Sequence, residues 1–299
     1  MNRKKKSHFS DTVFTVLVFL SVLLFIMPTV LTFANSFMTS NEISANYGVM
    51  VENMSGDKKT FISENVNLKF IPDRVTFEQY KSVLIKNSDY LIKFWNSVIL
   101  VLPITVFQIA VAVFASYGFS RCPNKVKSII FFAYIILMIM PYQVTLVPNF
   151  LVAKKLDIID TRWSVILPAV FSPFSIFLIT KSMKRIPISY VEASKLDGAN
   201  EFQILTKIYL PLCKSAIVSV AMLVFIDYWN MVEQPLVLMT SEEAQMMHPL
   251  SVFLAQVNSG DIGLAFAVGT VYMIPTILMF LYGEDYLVEG IAYAGGIKG

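Results

Sequence analysis

At 299 residues, 56% hydrophobic and 15% charged, the chain is more apolar than a soluble domain, which runs about 45–50% apolar and about 25% charged. A formal net charge of +3, with basic residues scattered over the ends of apolar runs, excludes a nucleic-acid-binding stripe. The apolar runs are continuous rather than alternating, which excludes a transmembrane barrel and predicts an all-α polytopic membrane protein.

In chain order, residues 1–11 carry the basic cluster Arg3, Lys4, Lys5 and Lys6. An apolar run from Val13 to Phe33 follows. It is longer than the roughly 7–15 residues of a signal-peptide core, and no small-x-small cleavage site follows cleanly, so an uncleaved first span is expected at 12–34. Residues 35–91 are polar and mixed, with a turn at Gly56-Asp57, and are expected to form a small extracellular cap. Residues 92–283 hold five more spans, near 92–119, 128–150, 163–181, 215–238 and 262–282, with a cytoplasmic segment at 182–214. Residues 284–299 form the tail. Pro103, Pro141, Pro148, Pro168, Pro173 and Pro275 fall inside the spans, so kinked helices around a pathway and ordinary membrane-helix kinks both stand.

Orientation follows from Lys and Arg in the short loops. The inner side collects Arg121, Lys125, Lys127, Lys181, Lys184, Arg185, Lys195, Lys207 and Lys214. No basic residue lies between Leu238 and Gly260. Both termini are therefore expected in the cytoplasm, and with them Cys122 and Cys213, where thiols stay reduced.

The cytoplasmic segment is neither a span nor a bland loop. Pro187 stops the preceding helix, and Ser189 with Glu192 predicts a capping box opening a helix that runs to about Leu196. Asp197-Gly198 predicts a sharp turn. A second helix is expected from near Ala199, with Phe202, Leu205 and Ile208 on one apolar face. Periodicity leaves two readings open: a handle gripped by a soluble partner, or a helix resting on lipid headgroups.

Span five carries Asp227, Tyr228, Trp229, Asn230, Glu233 and Gln234, of which Asp227, Asn230 and Gln234 fall at i, i+3 and i+7. Such a face suits a wet path, since ionisable groups in a membrane face cavities. Trp229 and Tyr228 also read as interfacial anchors, and Asn230 as interhelical glue. Gln108, Ser116, Tyr142, Gln143, Thr145 and Asn149 add polar groups in spans two and three, which interhelical hydrogen bonding explains equally well. A phosphate-cradling G-x-x-x-x-G-K-[ST] loop is missing from the sequence, and His8 and His248 have no metal motif around them, so a non-catalytic, channel-forming role is expected.

Glu192, Ala193, Gly198, Ile208, Leu210 and Pro211 stand at the spacing of the EAA motif (E-A-A, three residues, G, nine residues, I-x-L-P) of ABC-importer permeases, with Ser194 in place of the second Ala. Asp197, Gly198 and Ala199 resemble that family's DGA core. "WNSVIL", "MIMPYQVTLVPNF", "YWNMVEQPL" and "EGIAYAGGIKG" resemble segments of its carbohydrate, maltose-permease-like branch, from about Phe77 to Gly299. The resemblance implies six transmembrane helices and a cytoplasmic coupling helix that docks into an ATP-binding subunit. It assigns coupling to Glu192, Ala193, Ser194, Asp197, Gly198, Ala199, Ile208, Leu210 and Pro211. The polar residues themselves, and not the resemblance, make Asp227, Trp229, Asn230, Glu233, Gln234 and Gln143 candidates for a sugar pathway: Trp229 and Asn230 match common family positions, whereas Asp227 and Glu233 replace residues usually small or apolar there. The resemblance makes Glu242 and Glu243 candidates for meeting a binding protein.

The implied partners are a second permease subunit, two ATP-binding cassette subunits, an extracellular solute-binding protein and membrane lipid, in a bacterial inner membrane. ATP and Mg would sit on the ATPase subunits, with no cofactor on this chain. Import of another solute, such as a polyamine or a glycerol phosphate, and an ion-coupled carrier remain as alternatives.

Overall fold

The computed structural model describes residues 8–54, 68–86, 88–121, 124–256 and 262–295. The Arg3–Lys6 cluster, the Gly56-Asp57 turn, Cys122 and the last four residues lie outside them. Among the described residues, four helices are long and apolar enough to cross a membrane: Thr12–Asn35, Ser88–Arg121, Arg162–Met183 and Gly263–Val288. Two bent pairs, Lys125–Ile139 with Tyr142–Lys155 and Glu201–Leu212 with Lys214–Trp229, bring the total to six if each counts as one span. The shortest of the four, at 22 residues, gives about 33 Å of helix, enough for a hydrocarbon layer of about 30 Å.

The chain divides into two units, Met1–Leu91 with Gln256–Met273, and Ile92–Ala255 with Ile274–Gly299. In the first unit, α1 (His8–Asn35) leaves Phe14, Leu24 and Phe25 exposed, as a lipid-facing helix does. Within 35–91 the described residues include α2 (Ser40–Met54) and the single turn α3 (Glu78–Lys81). Met38, Ile43 and Tyr47 are buried together against Phe266. Asn35 donates to the Tyr47 hydroxyl at 2.6 Å, and Ser36 and Tyr80 share a hydrogen bond of 2.7 Å. Lys69 pairs with Glu42 and Asp73, which raises its pKa, the Asp73 hydrogen bond foremost.

In the second unit, Leu100, Val101 and Ile104 of α4 (Ser88–Arg121) are fully buried. The next elements are α5 (Lys125–Ile139), α6 (Tyr142–Lys155), α7 (Arg162–Ala169) and α8 (Pro173–Met183). Buried Gln108 donates to Ser175 Oγ at 2.7 Å and Ser116 to the Ile176 carbonyl at 3.0 Å, tying α4 to α8. These two polar residues of span two are thus interhelical glue. α9 (Ile188–Leu196), α10 (Glu201–Ile204) and α11 (Leu210–Leu212) lead to α12 (Lys214–Trp229), which packs on α8. α13 (Glu233–Leu238), α14 (Glu242–Gln245) and α15 (Leu250–Ala255) precede α16 (Ile262–Gly295). α16 continues beyond 283, so most of the expected tail is helix.

Three expected spans are interrupted. Span 128–150 breaks at Met140-Pro141 with a bend of 105°. Met140 adopts φ −67°, ψ 128°, the extended backbone that a following proline favours. Pro173 restarts the fourth span at the first turn of α8, where its missing N–H costs nothing and Ser172 caps the helix. Pro103, Pro148, Pro168 and Pro275, in contrast, lie within their helices. Span 215–238 ends at Trp229, and the chain resumes as helix only at Glu233. A continuous face through Asp227, Asn230 and Gln234 therefore does not exist; the non-helical stretch 230–232 intervenes.

Candidate functional site

Two sites can be built from the second unit: the elbow formed by α9 to α11, and a cavity beside the breaks in the spans. The elbow opens differently from its sequence expectation. Pro187, with φ −58°, occupies the N-cap position and no side chain caps α9, so Ser189 and Glu192 form no capping box. Pro187 itself fixes the entry, and Ser189 falls inside the helix. Ser194 instead turns its hydroxyl back onto the Tyr190 carbonyl at 2.6 Å. Asp197 ends α9, and Gly198 follows at φ 80°, a left-handed value that glycine adopts without strain. A capping box does appear one helix later: Asn200 Oδ1 accepts from Gln203 N at 2.8 Å, and Gln203 Oε1 from Asn200 N at 2.9 Å. That box starts the second helix at Glu201 rather than Ala199.

The second arm tightens into a π-turn over Leu205–Tyr209, where Leu210 N–H donates to the Leu205 carbonyl. Pro211 has no N–H to give, so the ordinary helical bond at that position is unavailable. The extra residue rotates the buried face. Ile204, Leu205 and Tyr209 are buried, whereas Phe202 is 65% exposed and Ile208 and Leu210 are half-buried. The expected 202–205–208 face is thus displaced by the π-turn.

Of the motif residues, Glu192, Ala193, Asp197, Gly198 and Pro211 are exposed. Ser194, Asp197, Gly198, Ala199, Gln203, Lys207 and Ile208 line a concavity of about 350 Å³ between the two arms. Leu196 at the tip is 90% exposed.

Glu201 ties this elbow to α4, a link that no local pattern revealed. Tyr117 donates to Glu201 Oε2 at 2.5 Å, Arg121 Nη2 lies 3.3 Å from Oε1, and Lys195 Nζ 2.9 Å from Oε1. The Lys195 ammonium first, then the Tyr117 hydroxyl, hold the Glu201 carboxyl down at about 2. The Tyr117 and Tyr209 rings meet edge to face at 5.1 Å. Tyr117 and Arg121 lie about 80 positions before Glu201 in sequence, so only the fold brings them together.

The cavity, of about 460 Å³, lies beside the α5–α6 break. Asp227, Tyr228 and Gln234 line it together with Tyr142, Thr145, Asn149 and Ser172, among apolar groups such as Met138, Met140 and Phe174. Asp227 is exposed to it, and no hydrogen bond or ion pair engages its carboxylate among the described residues. The break that disrupts the expected helical face still brings Asp227 and Gln234 to one space. The remaining candidates divide. Gln143 Nε2 donates to both Glu233 oxygens at 3.4 Å. Trp229 is buried, stacked on Phe225 at 5.4 Å and edge-on to Phe94 at 5.6 Å, so it is a packing residue and not an interfacial anchor. Asn230 ends α12, donating to the Ile226 carbonyl at 2.8 Å.

At the other end of these spans, the loop after Leu238 is fastened by side chains. Asp160, itself at φ 62°, accepts from Thr240 N at 2.5 Å and Ser241 N at 3.0 Å, and these backbone donors lower its pKa. Asn96 donates to the Met246 carbonyl at 2.8 Å while accepting from Arg162 at 2.9 Å. Buried His248 bonds the Met239 carbonyl at 2.8 Å. Glu242 and Glu243 project from the first turn of α14, exposed.

Comparison with known proteins agrees with this arrangement. The sequence pattern of binding-protein-dependent transport system inner membrane components matches residues 86–292. The arabinooligosaccharides transport system permease protein AraQ of Bacillus subtilis is 30% identical over 78% of this chain and 83% of its own length. The osmoprotective compounds uptake permease protein GgtD of Synechocystis is 32% identical over 69% of this chain and 70% of its own. A solved bacterial ABC transporter involved in import of the acidic polysaccharide alginate shares the fold, with a TM-score of 0.76 at 20% identity over 96% of this chain and 99% of that one. The family match leaves an ion-coupled carrier without support. With its apolar helices, its elbow and its match across most of the chain, this protein belongs to the binding-protein-dependent transport system inner membrane components, as a multi-pass permease.

Proposed function

We propose that the chain is one of two transmembrane subunits of an ATP-driven importer for a sugar or oligosaccharide, working by alternating access. Both termini and the elbow face the cytoplasm. A binding protein delivers solute to the opposite face. ATP and Mg bind to a pair of separate ATPase subunits, whose closure pulls the elbow and rocks the spans outward-open. Hydrolysis and release reset them.

The observation that carries this reading is the elbow's form. Two short arms meet at Gly198, with apolar Leu196 90% and Phe202 65% exposed on the elbow and a concavity of about 350 Å³ lined by Ser194, Asp197, Gln203 and Lys207 among others. Exposed apolar groups on an element that also carries a concave polar surface suit a protein partner. Glu201 and the span following Lys214 give that partner two rigid points to move. The sugar class is supported by relatives such as AraQ and by the carboxylate, amide and phenol groups beside Asp227. The likeness in fold to an alginate importer carries no solute to this chain.

The test is crosslinking from a cysteine at Ala193 or Asn200 in membranes that accumulate solute. Capture of a nucleotide-binding protein is expected, with a yield that changes when ATP is trapped. Intact accumulation with no such capture refutes the coupling role.

A further inference from the structure

The cavity beside the α5–α6 break has a one-sided chemistry. Asp227 is a carboxylate within a span, and ionisable groups there are costly unless they face a partner or a wet cavity. The fold supplies it with no hydrogen bond or ion pair among the described residues. An ionised carboxylate only accepts hydrogen bonds, with about four lone-pair sites to fill. The same cavity is lined by Tyr142 and Tyr228, which carry phenols, Asn149 and Gln234, which carry amides, and Thr145, which carries a hydroxyl. No lysine, arginine or histidine is among the described lining residues. Glu233, at the start of α13, adds a second negative charge nearby in the chain and already holds the Gln143 amide at 3.4 Å.

We infer that Asp227 makes this cavity a site for uncharged sugar hydroxyls and excludes uronate-bearing glycans. This rests on the sugar-import reading above and narrows it. Vicinal hydroxyls donate charge-assisted hydrogen bonds to Asp227 while the amides and phenols serve the remaining ring oxygens. A uronate brings a second carboxylate, for which the described lining of this chain offers no guanidinium fork. Like charge against Asp227 then opposes entry, and specificity comes from the repulsive element as much as from the attractive one.

The test uses the complete complex, purified in detergent with its partner permease and ATPase subunits but without the binding protein, whose own selectivity is thereby removed. Radiolabelled arabinotriose, trigalacturonate and chitosan trimer are the probes, in equilibrium binding at fixed salt. Wild type is expected to bind arabinotriose at least tenfold more tightly than trigalacturonate. Asp227→Asn is expected to narrow that ratio at least fivefold, and Asp227→Lys to reverse it, in protein that still copurifies with its partners. Equal binding of trigalacturonate by wild type, or an unchanged ratio in both variants, overturns the inference while leaving sugar import standing. Tightest binding of the chitosan trimer also overturns it, in favour of a cationic ligand. Failure of all three sugars, with uptake of a non-sugar solute by the same complex in liposomes, overturns the sugar reading itself.

Discussion

At the scale of single residues, the elbow turns on Gly198. A Cβ built there meets nothing within 4 Å, so the barrier to substitution is its φ of 80° and not crowding. The left-handed region costs an L-residue about 1–2 kcal/mol, less for Asn, more for a β-branched side chain. Solute uptake should therefore fall in the order Gly, Asn, Ala, Val at position 198, with Gly198→Val inactive although normally inserted. Wild-type uptake by a well-inserted valine variant would refute the order.

Glu201 gives a second prediction. Its carboxyl is held at about 2, below its ordinary 4.5, so the folded state favours the charged form. Stabilisation from this tie is complete above the unfolded value and is lost as pH falls through the folded one. The thermal-stability gap between wild type and Glu201→Gln should persist above pH 4.5 and close as pH approaches 2. A gap of constant size across that window would mean that Glu201 acts by shape alone. Because its side chain is more than half exposed, the effect should also shrink in high salt.

At the scale of elements, α12 and α16 approach closely at two glycines. A Cβ at Gly290 would overlap the Ser219 side chain and lie 3.2 Å from the Ser215 carbonyl; one at Gly283 would overlap Met222. Ser219 also donates to the Tyr286 carbonyl across the same seam. Backbones meet this closely in membranes only where one side is small. Gly290→Val should cost about 1–3 kcal/mol of overpacking and lower the melting temperature in detergent. Gly283→Ala should cost less, because the flexible Met222 can withdraw. Equal melting temperatures for Gly290→Val and wild type would show that the two helices are free to separate.

Which features could be read from the sequence divides along the same seam. Apolar length anticipated the four helices that, among the described residues, are long and apolar enough to cross a membrane, and the EAA spacing picked out the elbow, because both are local properties of the chain. The α5–α6 break was foreshadowed by Pro141, but a proline does not announce whether it kinks a helix or ends it. The face through Asp227, Asn230 and Gln234 failed because the three residues 230–232 leave the helix, which no polar pattern signalled. The apolar face of the second arm failed because the π-turn at Leu205–Tyr209 adds a residue to the period. Glu201 with Tyr117 and Arg121, and Asp160 with the loop after Leu238, join segments about 80 residues apart, so their meeting required the fold.

At the scale of the whole molecule, the proposed orientation makes a clear demand. Lys195 and Lys207 are exposed on the elbow, so trypsin should cut there in inside-out vesicles and not in right-side-out ones. Adding the ATPase subunits should slow the cutting at least tenfold. Cleavage in right-side-out vesicles would invert the topology and, with it, the coupling role. The bend of 105° at Met140-Pro141 carries a consequence of a different kind. A helix that stops within a bilayer leaves its last carbonyls without backbone donors, and hydrocarbon offers none. The Leu137 carbonyl keeps the Met140 N–H at 3.2 Å, while Met138 and Met140, at that end of α5, line the cavity. Carbonyl oxygens left without a donor demand solvation whether or not cargo is present. In the proposed membrane setting the permease should keep a hydrated niche within its greasy wall, so that an arriving solute exchanges places with water there rather than filling a dry hole.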